Sequence, residues 1–255
     1  MMTESEWDNI TEGKMRRVIC FDLWGTLVMS LVQRTYEDYL ADYWPRELIQ
    51  KTVRDLLMTD AWIRSPLRQH DGQGILRPDH LRTAAMLLTR LRSIQSPEKT
   101  VFLNDHNWNV FDRTTTEFAE LLLETVRLWK RENELVKWIP MAREVVEALK
   151  AADEKLVLVT NTTDFGIGEV DRVLRLREIF PHTWASCAYP FAKPDRRVWR
   201  FIMEHSPDAD QYWMIGNDPI TDIAVPAAMG WKTILVNHPE GVPISEVPRI
   251  IKESK

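Results

Sequence analysis

The chain has 255 residues, 44% of them hydrophobic and 28% charged, with a formal net charge of −5. That balance suits a globular protein rather than a disordered one, and it offers no basic stripe for nucleic acid or an anionic membrane. No apolar run approaches the roughly 20 residues of a membrane helix, the N-terminal stretch lacks a secretory apolar segment, and two cysteines are too few for a disulfide framework.

The expectation is a cytoplasmic protein that acts on a small-molecule substrate as a monomer or homodimer. Eleven tryptophans are many for this length. Trp44, Trp62, Trp108, Trp129, Trp138, Trp184 and Trp199 lie beside other apolar residues and read as core and interdomain fillers rather than a ligand cage.

In chain order, Val18–Phe21 is a short apolar, β-branched run that ends at Asp22, Gly25 and Thr26, a buried strand giving way to a turn. The pattern then becomes helical to about Glu134. Tyr39–Leu57, Asp79–Leu91 and Thr116–Lys130 carry apolar residues at three- and four-residue spacing. Ser65–Pro78 and Ser96–Asp112, rich in Pro, Gly, Asn and Asp, read as loops.

After Pro140 strands and helices alternate. Helices are expected at Ala142–Ala152, Ile167–Leu176, Pro194–Glu204 and Ile220–Met229. Strands are expected at Leu156–Val159, Thr183–Cys187, Tyr212–Ile215 and Thr233–Val236. This alternation predicts an α/β fold, a parallel sheet with helices on both faces, split after its first strand by a helical insert. The core then comprises 1–27 and 138–255, and the insert 28–137.

Ligands of parallel sheets bind at the carboxyl ends of the strands, so polar residues just beyond the apolar runs matter most. Four such places stand out: Asp22 with Gly25 and Thr26, Thr160-Asn161-Thr162, Lys193 before Pro194, and Asp218 with Asp222. Each has an ordinary alternative as a helix cap or turn residue. Four in this order, all at strand ends, are hard to attribute to turn chemistry.

Phe21-Asp22-Leu23-Trp24-Gly25-Thr26-Leu27, Val159-Thr160-Asn161, Lys193-Pro194-Asp195 and Asp218-x-x-x-Asp222 resemble the four motifs of haloacid dehalogenase-like (HAD) hydrolases. The resemblance runs from Val18 to about Asn237. It implies a Rossmann-like HAD core with an inserted all-α cap domain. It also implies that Asp22 is a covalent nucleophile, that Thr160 binds an oxygen of the transferred group, and that Lys193 neutralises developing charge. Asn161, Trp24 and Gly25 are implied to lie against the substrate. Magnesium is the implied cofactor, held by Asp22, the Trp24 carbonyl, Asp218 and Asp222. Asn217 stays open between a place near the metal and a loop cap.

Trp24 is the departure. Phosphatases that this chain resembles carry a second Asp there as general acid, and an indole cannot replace it. Dehalogenases resemble the chain at this aromatic, since a departing halide needs no proton, but they lack the first acid of the fourth motif. A magnesium-dependent phosphatase leads, with a 2-haloacid dehalogenase and a catalytically impaired ligand-binding relative as alternatives. Arg34, Arg64, Arg68, His70 and Arg77 of the insert are candidates to meet an anionic substrate, with solvated surface as the plainer reading of each.

Overall fold

The computed structural model describes residues 15–58, 80–95, 116–189 and 191–254. Strand β1 (Arg17–Phe21) leads through a loop to β2 (Val28–Ser30). Helices α1 (Tyr36–Leu40), α2 (Arg46–Met58), α3 (His80–Gln95) and α4 (Thr116–Glu134) follow, and the chain returns through β3 (Val136–Trp138). Then come α5 (Ala142–Ala151), β4 (Lys155–Thr160), α6 (Asp164–Leu174), α7 (Leu176–Ile179) and β5 (His182–Ala185). The rest runs α8 (Arg196–Glu204), β6 (Gln211–Gly216), a π-helical turn (Pro219–Ala224), α9 (Val225–Ala228), β7 (Lys232–Leu235) and α10 (Val247–Glu253).

Five strands form a parallel sheet in the order β5-β4-β1-β6-β7. The expected α/β parallel core is therefore present. β1 lies at its centre because its residues are apolar on both sides, as a doubly covered strand demands. Ile19 and Phe21 join one core cluster with Val145, Val146 and Leu149 of α5 and Ile251 of α10. Val18 and Cys20 join the opposite one with Val198, Trp199 and Ile202 of α8. Helix α5 buries Ala142, Val145, Val146 and Leu149, one stripe at helical spacing.

The chain leaves and re-enters the sheet region through the antiparallel pair β2–β3, with Val28 opposite Trp138 and Ser30 opposite Val136. Helices α1–α4 share their own cluster around Tyr36, Leu40, Trp44, Ile49, Leu87, Leu91, Leu121 and Trp129. Trp44, Trp129, Trp184 and Trp199 are buried, as core fillers should be; Trp62 and Trp108 lie outside the described residues.

Several boundaries differ from expectation for identifiable reasons. The Tyr39–Leu57 helix is two helices, because Pro45 cannot continue one into the other. The Ile167–Leu176 helix begins earlier, where Thr163 caps it by accepting from the Gly166 N–H, and breaks at Arg175 in left-handed conformation. The Thr183–Cys187 strand ends at Ala185 in a 3₁₀ turn. The Ile220–Met229 helix opens as a π-helical turn before Pro226. β2 and β3, three residues each, were not legible as strands. The loops Ser65–Pro78 and Ser96–Asp112 lie outside the described residues.

Candidate active site

The site forms where the loops after β1, β4, β5 and β6 meet. The turn direction changes on either side of β1, which is the topological switch point of such a sheet. Asp22 directly follows β1, and its backbone N–H donates to the Ile215 carbonyl of β6. Lys193 arrives from the segment between β5 and α8. Asp222 sits in the π-helical turn after β6. The three side chains meet: Lys193 Nζ lies 2.6 Å from Asp22 Oδ1 and 2.7 Å from Asp222 Oδ1. All are buried, Lys193 and Asp222 almost completely, at 2% and 1% exposure.

The remaining oxygens of both carboxylates are also held. Thr26 Oγ1 lies 3.1 Å from Asp22 Oδ2 and 3.0 Å from Asn217 Oδ1, so one hydroxyl proton serves two acceptors. Thr26 is fully buried. Asp222 Oδ2 accepts from the Asp218 N–H at 3.1 Å. Asn161 clamps the Lys193 backbone in both directions, donating to its carbonyl at 2.8 Å and accepting from its N–H at 3.0 Å. Thr160 ends β4, buried. Asn237 donates to the carbonyls of Gly25 and Thr26, pinning the loop that carries Trp24.

Two ionised carboxylates and one ammonium leave this buried array one negative charge in excess. Burial lifts the Asp22 carboxyl, Lys193 pulls it back and Asp222 pushes it up again, leaving it raised to about 6. Burial works against the Lys193 ammonium too, but Asp22 and Asp222 outweigh it and hold the amine charged.

Asp218 and Asn217 divide the loop after β6 in an unexpected way. Asp218 accepts from the N–H groups of Ile220 and Thr221, at 2.8 and 3.0 Å, and so caps the turn. Asn217 is the residue whose side chain reaches the loop after Asp22, at Thr26. Thr26, singled out in the sequence with Asp22 and Gly25, is the hydroxyl that bridges Asp22 and Asn217.

Of the groups that the family resemblance offers to magnesium, Asp22 and Asp222 meet at the Lys193 ammonium. Asp218 is engaged as a cap, and Asp222 is tied to Lys193. Among the described residues no three His, Cys, Asp or Glu side chains are arranged to hold a metal ion. No step below runs through a metal ion.

Close packing fixes the array. A Cβ on Gly216 would stand 2.3 Å from Asp222 Cβ and 2.4 Å from its Oδ2. Gly216→Ala is therefore expected to cost about 1–3 kcal/mol and to misplace Asp222. The checks are a lowered thermal midpoint together with a loss of turnover. Gly25 has φ 77° and lies against the Asn217 amide, so only a residue without a side chain fits there.

Beside the array is a cavity of about 280 Å³. Trp24, Asn161, Thr162 and Thr163 line it from the strand ends, and Tyr36, Glu37, Trp129 and Glu132 from the helices. Arg34 pairs instead with Asp42 on the surface. Arg64, Arg68, His70 and Arg77 lie outside the described residues.

A family model for haloacid dehalogenase-like hydrolases matches residues 16–230. The chain belongs to that family and is a HAD hydrolase. No curated protein matches it. Among solved structures it is similar to a 2-haloacid dehalogenase from Pseudomonas syringae pv. Tomato DC3000, at 17% identity and TM-score 0.53, covering 94% of this chain and 100% of that one. It is also similar to YfnB from Bacillus subtilis, described as a HAD-hydrolase bound to magnesium, at 15% identity and TM-score 0.57, covering 94% and 100%. A predicted phosphoglycolate phosphatase from Haemophilus somnus 129pt matches at 17% identity and TM-score 0.52, covering 94% and 99%. These likenesses establish the fold and leave the substrate class open. Among the described residues, no helix is long and apolar enough to cross a membrane.

Proposed function

We propose that the chain is a cytoplasmic phosphohydrolase of a small phosphorylated molecule. Asp22 attacks phosphorus, carries the phosphoryl group as an acyl phosphate, and is regenerated by water. The observation that carries this reading is the buried Asp22–Lys193–Asp222 array at the strand ends, beside a cavity large enough for a metabolite. Lys193 neutralises charge as it develops on the substrate, and Asn161 fixes where Lys193 stands. Thr160 offers its hydroxyl to the transferred group. Helices α1–α4, between β2 and β3, act as a cap that selects the substrate.

Dehalogenation of a short 2-haloacid is the second reading. Trp24 favours it, since halide departs without a proton. Among the described residues the charged groups on the cavity walls are Glu37 and Glu132.

A turnover panel tests both readings. Aryl, acyl and alkyl phosphates and 2-chloropropionate are offered with and without Mg²⁺, scoring phosphate and halide release. Phosphate release is expected. It should fall as pH drops through about 6, where Asp22 takes up the proton that disables it. Halide from 2-chloropropionate with no phosphate from any ester would reverse the two readings. Millimolar Mg²⁺ that raises both the melting temperature and turnover would bear out the magnesium expectation.

A further inference from the structure

Cleavage of an alkyl phosphate expels an alkoxide that needs a proton, and the strand-end side of the site does not supply one. Trp24 has an indole N–H with no titratable proton near neutrality. Lys193 is held charged between two carboxylates. The same cavity that Trp24 and Asn161 line from below is lined from the last turn of α4 by Glu132. Solvent is the default for a glutamate near a helix end, yet Glu132 Oε2 is buried with no hydrogen-bond partner among the described residues. A carboxyl placed so is costly.

We propose that Glu132 is the general acid and base that Trp24 cannot be, reaching the reacting atoms from the helical side of the cavity. The inference rests on the phosphohydrolase reading above. In the first step an Asp22 oxygen forms a bond to phosphorus and the bond to the leaving oxygen breaks. That oxygen keeps the electron pair and takes the Glu132 proton. In the second step the Glu132 carboxylate removes a proton from water as the water oxygen bonds to phosphorus. The Asp22–phosphorus bond breaks, its pair returns to the Asp22 carboxylate, and phosphate leaves. Glu132 ends protonated, ready for another cycle.

The surroundings suit a group that must both give and take a proton near neutrality. Burial lifts the Glu132 carboxyl and the Glu37 carboxylate adds to this. The Tyr36 backbone N–H, bonded to it, works the other way, and Asp38 adds a smaller push, leaving it at about 7. Those titratable neighbours, with the Tyr36 phenol, all belong to α1. From the strand ends the cavity presents the uncharged Asn161, Thr162 and Thr163.

The test compares kcat/KM for an alkyl phosphate and for p-nitrophenyl phosphate in wild type, Glu132→Gln and Glu132→Asp. Glu132→Gln should lose roughly 10²–10⁴-fold on the alkyl ester and far less on the aryl ester, whose leaving group departs as the anion. With the base also removed, p-nitrophenyl phosphate should give a burst of nitrophenolate followed by slow turnover, as the Asp22 acyl phosphate accumulates. Glu132→Asp should recover part of the alkyl rate. In wild type the alkyl rate should fall as pH rises through about 7 while the aryl rate does not. Glu37→Gln should move that alkaline fall to lower pH, because a repelling charge is gone. An alkyl-to-aryl ratio and pH profile unchanged in Glu132→Gln, without a burst, overturns the role of Glu132 and leaves the phosphohydrolase reading intact. A wild type that releases phosphate from neither ester overturns both.

Discussion

Asp22→Asn is expected to lower turnover by roughly 10⁴–10⁶-fold, the scale seen when one member of a covalent catalytic unit is removed. Asparagine keeps the shape, and its amide can still meet Thr26, but it offers no anionic oxygen to attack with. The fold should survive the change. The wild-type array holds two carboxylates against one ammonium; without the Asp22 charge, Lys193 and Asp222 balance. Removing an excess negative charge from a site this buried should leave the melting temperature equal or higher above about pH 6, where Asp22 is otherwise ionised. Loss of both activity and folded protein would mean that Asp22 is mainly structural. Retained activity on a verified substrate would end its assignment as the nucleophile.

Lys193→Met carries the second large effect, this time on stability. Lys193 is buried at 2% exposure between two carboxylates. Breaking a buried ion pair by removing one partner typically costs about 3–5 kcal/mol, because the other charges stay behind uncompensated. Here two acids stay behind, and each disfavours ionisation of the other. Without Lys193 the Asp22 carboxyl, already raised by burial and by Asp222, lies further above its unfolded value. The folded state then holds a proton that the unfolded state releases, so stability is present at acid pH and is lost as pH rises through the folded Asp22 value. Denaturant unfolding across this range should show the variant close to wild type in acid and far below it in alkali. A variant as stable as wild type in alkali would mean that the array relaxes to water and is not the closed charge network described above.

The sequence announced the strand-end chemistry because each functional residue follows an apolar run whose partners are parallel strands. Asp22, Thr160, Lys193 and Asp222 could converge at the carboxyl edge of the sheet only if β1, β4, β5 and β6 were neighbours, and they are. What stayed hidden depends on single turns of backbone. Whether Asn217 or Asp218 faces the Asp22 loop is decided by one residue of loop rotation after β6. The Asp218 cap settles it through hydrogen bonds to Ile220 and Thr221. The break at Pro45 was legible in principle and was overridden by a continuous apolar spacing. β2 and β3 were not legible, since three residues carry no period. Glu132 was least visible. It reads as one charged residue among Lys130, Arg131 and Glu134 at a helix end, and only the approach of α4 to the strand ends gives it a chemical setting.

The central claim, that Asp22 carries the transferred group, is tested most directly by trapping it. Turnover of p-nitrophenyl phosphate is quenched into hydroxylamine, which converts an acyl phosphate or ester of aspartate to a hydroxamate, and the digested peptides are mapped by mass. The account predicts the hydroxamate on the peptide containing Asp22 and at that residue by fragmentation, with none in Asp22→Asn. An Asp22 peptide that remains unmodified while the enzyme is turning over in its burst phase would contradict it.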